Sequence, residues 1–115
     1  MSDTLIDVAT FRALEESAGA EFVAELVDTF AAEAPLMLAE LRDARAGGDA
    51  ERFRRAAHSL KSNCNTFGAL ALGAKARALE LQGLDADEAR DASAIDAIEA
   101  CCSRVAAGLK GLARG

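Results

Sequence analysis

Phe53-Arg54-Arg55-Ala56-Ala57-His58-Ser59-Leu60-Lys61-Ser62-Asn63-Cys64-Asn65-Thr66-Phe67 holds the only histidine of the chain and two superposed periodicities. Phe53, Ala57, Leu60, Cys64 and Phe67 step by four, three, four and three, which is the apolar line of a packed helix. Arg54, His58, Lys61 and Asn65 step by four, three and four, one position further round. One position on a helix is a rotation of about 100°. The apolar line therefore anchors this helix while the imidazole stays on a reachable flank among cations and amides.

Outward from this stretch the chain reads as five helices. The first spans Val8 to Ala18, with Asp7 as N-cap and Gly19 as its stop. The second spans Ala20 to Ala46 on an apolar line of Val23, Leu26, Val27, Phe30, Ala34, Leu38 and Leu41. Pro35 lies inside it, and a kink or a break is expected there. Gly47-Gly48-Asp49 closes the second helix and caps the third, Ala50 to Phe67, which ends at Gly68. The fourth runs from Leu70 to Gln82 on Leu72, Ala76 and Leu79, and stops at Gly83. The acidic segment from Asp85 to Asp91 reads as a solvated loop. The fifth helix is expected from Ser93, with Asp96 completing a partial capping box. Ile95, Ile98, Cys102, Val105, Leu109 and Leu112 carry its seam to the end. Four long amphipathic helices with short connections favour an all-α, antiparallel up-down-up-down four-helix bundle, lidded by the short N-terminal helix.

Composition narrows the function. The chain has 115 residues, 51% hydrophobic and 4% aromatic with every aromatic a Phe, which suits one helical domain over residues 1–115. Its net charge of −6 argues against bulk nucleic-acid binding, which needs an excess of Lys and Arg on one face. The charge is uneven, because Arg52, Arg54, Arg55 and Lys61 bracket His58 and predict a locally cationic surface. No run is apolar and long enough to span a membrane, and Met1 to Leu5 lacks the features of a signal peptide. Three cysteines in such a chain read as reduced thiols in a cytoplasm. Cys64, Cys101 and Cys102 lack paired zinc-ligand spacing, and Cys64 and Cys102 fall on apolar seams, so no metal site is expected. Phosphate-binding glycine loops and a nucleophile elbow are absent as well, so neither ATP binding nor autophosphorylation is expected.

Ala57-His58-Ser59-Leu60-Lys61, with Gly68 at the right distance, resembles the histidine-containing phosphotransfer (HPt) domain of multistep two-component phosphorelays. Ser62 stands where that family's pattern has Gly, one turn from His58, where a docking partner approaches. Phe22 to Leu41, with Phe30-Ala31-Ala32-Glu33-Ala34-Pro35, resembles the family's preceding helix. Leu79-Glu80 resembles the Leu-Glu of its following helix. The likeness runs from about Asp7 to Leu112.

The resemblance implies a phosphocarrier rather than an enzyme. His58 would accept a phosphoryl group from a receiver-domain aspartyl phosphate and pass it to another receiver. Imidazole suits this, since an ordinary pKa of about 6.5 leaves it largely neutral at cytoplasmic pH. Lys61 would neutralise phosphoryl oxygens, and Asn65 could donate a hydrogen bond. Partner contacts are expected from Phe11, Leu14, Arg54, Arg55, Ser62 and Asn65. For the two arginines, pairing with neighbours such as Glu51 weighs equally. No cofactor is expected in this chain, and Mg2+ belongs in the acidic pocket of the partner receiver. The partners are response-regulator receiver domains and a hybrid histidine kinase, and the chain is expected to be a free-standing monomer. An adaptor that holds a receiver without transfer is the alternative. The phosphotransfer helices of a histidine kinase fit less well, since such a kinase needs an ATP-binding domain.

Overall fold

The computed structural model describes residues 5–84 and 87–114. In chain order these form α1 (Val8–Ala18), α2 (Ala20–Gly47), α3 (Ala50–Phe67), α4 (Leu70–Gln82) and α5 (Glu88–Arg114), with no strand among the described residues. Helix α3 packs on α4 and on α2, α2 packs on α5, and α4 meets α5, while α1 lies on α2 and α3.

Local chemistry sets the limits of α3. The Asp49 side chain accepts from the Arg52 backbone N–H at 3.1 Å and caps the first turn. At the other end Gly68 adopts φ +85°, and the Ala69 N–H reaches back to the Cys64 carbonyl at 2.8 Å. A left-handed residue here reverses the chain while still satisfying the last carbonyls. Gly68 also does something its role as a helix stop does not require. Its carbonyl accepts from the Asp7 N–H at 2.7 Å. A Cβ on Gly68 would lie 2.7 Å from the Asp7 carbonyl oxygen and 3.0 Å from Thr10 Cβ. The start of α1 therefore sits where only glycine leaves room. Asp7 occupies the N-cap position of α1, but its carboxylate accepts from the Thr10 hydroxyl at 2.5 Å rather than from a backbone N–H.

The apolar line of α3 lies wholly in the core: Phe53, Ala57, Leu60 and Cys64 are completely enclosed and Phe67 nearly so. Phe67 meets Phe30 of α2 at a centroid distance of 5.6 Å and a 59° tilt, a favourable edge-to-face arrangement. Helix α2 continues through Pro35 without a break. The proline removes one N–H from the ladder, but Phe30, Ala34 and Leu38 on either side are buried along one line and hold the helix together.

The start of the fifth helix differs from expectation. Helix α5 begins at Glu88, five positions before Ser93, and the Asp87 carboxylate accepts from the Ala89 N–H at 3.0 Å. Glu88 and Asp91, read as solvated loop, form its first turn, where negative charge is favourable. Asp91 is completely buried, and its Oδ2 lies 3.0 Å from Arg45 Nη1 of α2. Asp85 and Ala86 of the expected loop lie outside the described residues, as do Met1 to Thr4.

Candidate functional site

His58 projects from the exposed flank of α3, with 55% of its side chain accessible. Its backbone is fixed by the buried neighbours Ala57 and Leu60. The ring does not stand alone. Nδ1 lies 2.7 Å from Glu80 Oε2 of α4, and Lys61 Nζ lies 2.8 Å from Glu80 Oε1. Each carboxylate oxygen thus holds one member of the α3 pair. Glu80 is only 14% accessible. Hydrogen bonds from Lys61, and then from His58, hold its carboxyl below the usual carboxylate range. It is therefore ionised at neutral pH.

That charge state assigns the ring. An ionised carboxylate can only accept, so Nδ1 carries the proton and donates it to Glu80. In the neutral ring the lone pair then lies on Nε2. The arrangement can thus present a neutral imidazole nitrogen as a nucleophile, with a negative charge behind the ring and an ammonium beside it.

The other sequence-predicted residues are placed differently. Phe11, expected at a partner contact, is completely buried; it fills the core beneath α1 instead of offering a surface. Leu14 is half-buried against the same core. Asn65 is exposed but lies against Gly73 of α4, whose missing Cβ is the space its side-chain amide occupies. Seven residues separate it from His58, about 10 Å along the axis, so His58, Lys61 and Glu80 cluster without it. Ser62 is exposed one turn beyond His58.

The surface is less cationic than the sequence implied. Arg54 pairs with Glu51 on its own helix at 2.9 Å, and Arg52 forms a two-pronged pair with Glu40 of α2 at 2.5 and 2.8 Å. With Lys61 on Glu80, three of the four bracketing cations are matched by carboxylates. Arg55 has no ion pair among the described residues. It borders an open groove of about 480 Å³ between α2 and α3, together with Leu36, Met37 and Ser59. Leu36 is 68% exposed there.

Glu80 was missed as a site residue. The signal for it was the Leu79-Glu80 pair on the following helix. Two of the thiols are out of play: burial pushes Cys64 up to about 12 and Cys102 up to about 11, so neither forms a thiolate near neutrality.

Comparisons with known proteins converge on one family. The family model of the Hpt domain matches residues 25–108, a span holding His58, Lys61 and Glu80. The sensor protein TorS of Escherichia coli (strain K12) is 34% identical over 85 residues. That match covers 74% of this chain and 9% of TorS, so the chain spans less than a tenth of that relative's length. The crystal structure of histidine-containing phosphotransfer protein B (HptB) from Pseudomonas aeruginosa PAO1 superposes with a TM-score of 0.83 at 25% identity. It covers 98% of this chain and 97% of that one.

Proposed function

The chain belongs to the Hpt domain family, whose role is phosphotransfer in two-component phosphorelays, and from that premise we propose that His58 Nε2 is the phosphoacceptor. The phosphoryl group comes from an aspartyl phosphate of one receiver domain and goes to another. Nε2 attacks phosphorus, the N–P bond forms, and the P–O bond breaks as the aspartyl carboxylate leaves with its electrons. Nδ1 keeps its proton, so the ring gains positive charge as it attacks. Glu80, 2.7 Å behind that end, balances it. Onward transfer is the reverse sequence with a second carboxylate. In-line positioning and charge stabilisation do the work, while Mg2+ and the acidic pocket belong to the receiver. The domain carries phosphoryl groups and does not bind ATP.

The observation that carries this reading is an accessible imidazole whose Nδ1 is committed to an ionised carboxylate, on a helix anchored by a fully buried line. We read the whole 115-residue chain as one domain, a monomer in the cytoplasm. Its four long helices run antiparallel, up-down-up-down, with α1 as the lid. The receiver docks over His58 with Leu14, Arg54, Arg55, Ser62 and Asn65 at the contact. Exposed charges at that interface make docking weaken with salt.

The test is label transfer from a phosphorylated receiver domain to the wild-type protein and to His58→Gln. Acid-labile, base-stable label on the wild type alone is expected. Binding without label would favour an adaptor, and base-labile label would mean a carboxylate acceptor.

A further inference from the structure

Lys61 is already engaged. Its ammonium lies on Glu80 Oε1 at 2.8 Å, and both side chains are largely withdrawn from water, 22% and 14% accessible. The ammonium has three donors on a flexible four-carbon stem, and His58 sits three positions back on the same face. It can therefore reach either Glu80 or a group on Nε2.

We propose that phosphorylation of His58 moves the Lys61 ammonium from Glu80 to the phosphoryl group, so that Glu80 is a positioning residue that limits how tightly the domain holds its cargo. This rests on the reading of His58 as the phosphoacceptor. A phosphoryl group carries close to two negative charges and outcompetes the single charge of a carboxylate. The move has a cost, because Glu80 stays poorly solvated and keeps only the Nδ1–H donor from this cluster. What Lys61 contributes to the phosphorylated state is the difference between the two attractions. A carrier needs that difference to be small, since a phosphoryl group held too firmly is not passed on.

The consequence is a specific coupling between two residues. In the wild type, losing Lys61 removes a small difference. With the Glu80 charge gone, Lys61 serves the phosphoryl group alone, and losing it removes the full attraction. Glu80→Gln suits this purpose because its side-chain carbonyl still accepts from Nδ1–H.

The experiment is the exchange equilibrium of the full chain with N-phosphoimidazole, followed by 31P NMR. The phosphoryl group leaves one imidazole nitrogen and joins another, with free imidazole released, so the constant reports the protein surroundings. Lys61→Met should lower the phosphorylated fraction by about two- to threefold in the wild type and about tenfold in Glu80→Gln. Equal losses in the two backgrounds, or a larger loss in the wild type, overturn the proposal, as expected if one ammonium bridges both groups at once. A second readout needs no substitution: the 15N resonance of the Lys61 ammonium should shift on phosphorylation, and an unmoved resonance overturns the proposal. Wild type that takes up no more phosphoryl than His58→Gln removes the phosphoacceptor reading itself and the proposal with it. That outcome is separate from the others because it appears before any lysine variant is compared.

Discussion

Two of the carboxylates that cations hold across helices, Asp91 and Glu80, differ in their setting. Asp91 of α5 is completely enclosed beside Arg45 of α2. Glu80 of α4 keeps 14% of its side chain accessible and shares its two oxygens between His58 and Lys61 of α3. Asp91 itself is enclosed, while Arg45 keeps 17% of its side chain accessible and also reaches the exposed Glu88 at 3.7 Å; the enclosed charge is safe only while its partner stays. The Glu80 cluster opens onto water through His58, so its members can exchange partners at modest cost. Burial thus separates a carboxylate enclosed in the core from one that lies beside the proposed phosphoacceptor.

The most severe way to break this contrast is Asp91→Ala, which removes the enclosed carboxylate and leaves the Arg45 guanidinium with the more distant, exposed Glu88. A stability loss of about 3 kcal/mol is expected, read as a lower denaturation midpoint, with phosphoryl uptake at His58 unchanged below the melting range. Loss of uptake in folded protein would show that the two clusters are not independent. Next in size is Gly68→Ala, since its φ of +85° and the 2.7 Å approach of Asp7 oppose any side chain. About 1–3 kcal/mol is expected, with faster hydrogen exchange at the Asp7 amide as α1 lifts.

Glu80→Ala tests the open cluster. Fold stability should change little, while 15N NMR of the ring should show His58 passing from one Nδ1–H tautomer to a mixture. A ring unchanged by the substitution would remove the assignment of Nε2. The pH dependence has a definite sign. The Glu80 carboxyl is held below its ordinary range, so its contribution to stability is present above that range. It fades as pH falls through the lowered folded value. The smallest effect is expected for Arg54→Ala, whose exposed pair with Glu51 on the same helix is worth less than about 0.5 kcal/mol. Its measurable consequence is a reduced salt dependence of receiver docking.

Much of the fold was legible in the sequence because helix periodicity is local. The lines Phe53–Phe67 and Ile95–Leu109 went into the core as their spacing required. The misreadings have physical causes. Asp85 to Asp91 reads as solvated because acidic runs usually are, yet Asp87, Glu88 and Asp91 lie at a helix N-terminus, where negative charge is favourable, and Arg45 makes burial of Asp91 tolerable. Phe11 lay on the single apolar side of a short helix. Its burial depends on how closely α1 can approach Gly68. The pairing of Arg54 with Glu51 was one of the two readings the sequence offered, whereas Arg52 and Lys61 were counted without Glu40 and Glu80, which neighbouring helices bring to them. Glu80 was visible as part of a motif but had no role to be read.

By itself the sequence determined five helices in order, their buried faces, and the placing of His58 and Lys61 on one flank beside the apolar line of the third helix. Those features follow from side chains three and four positions apart, whose relative directions the helix backbone sets. The tertiary structure alone decided which nitrogen of His58 is free, what Lys61 touches at rest, and which acid is sealed inside. Each of these depends on a contact between helices, such as His58 with Glu80 at 22 positions' separation. At such separations direction is set by how the helices pack, and no local periodicity encodes it.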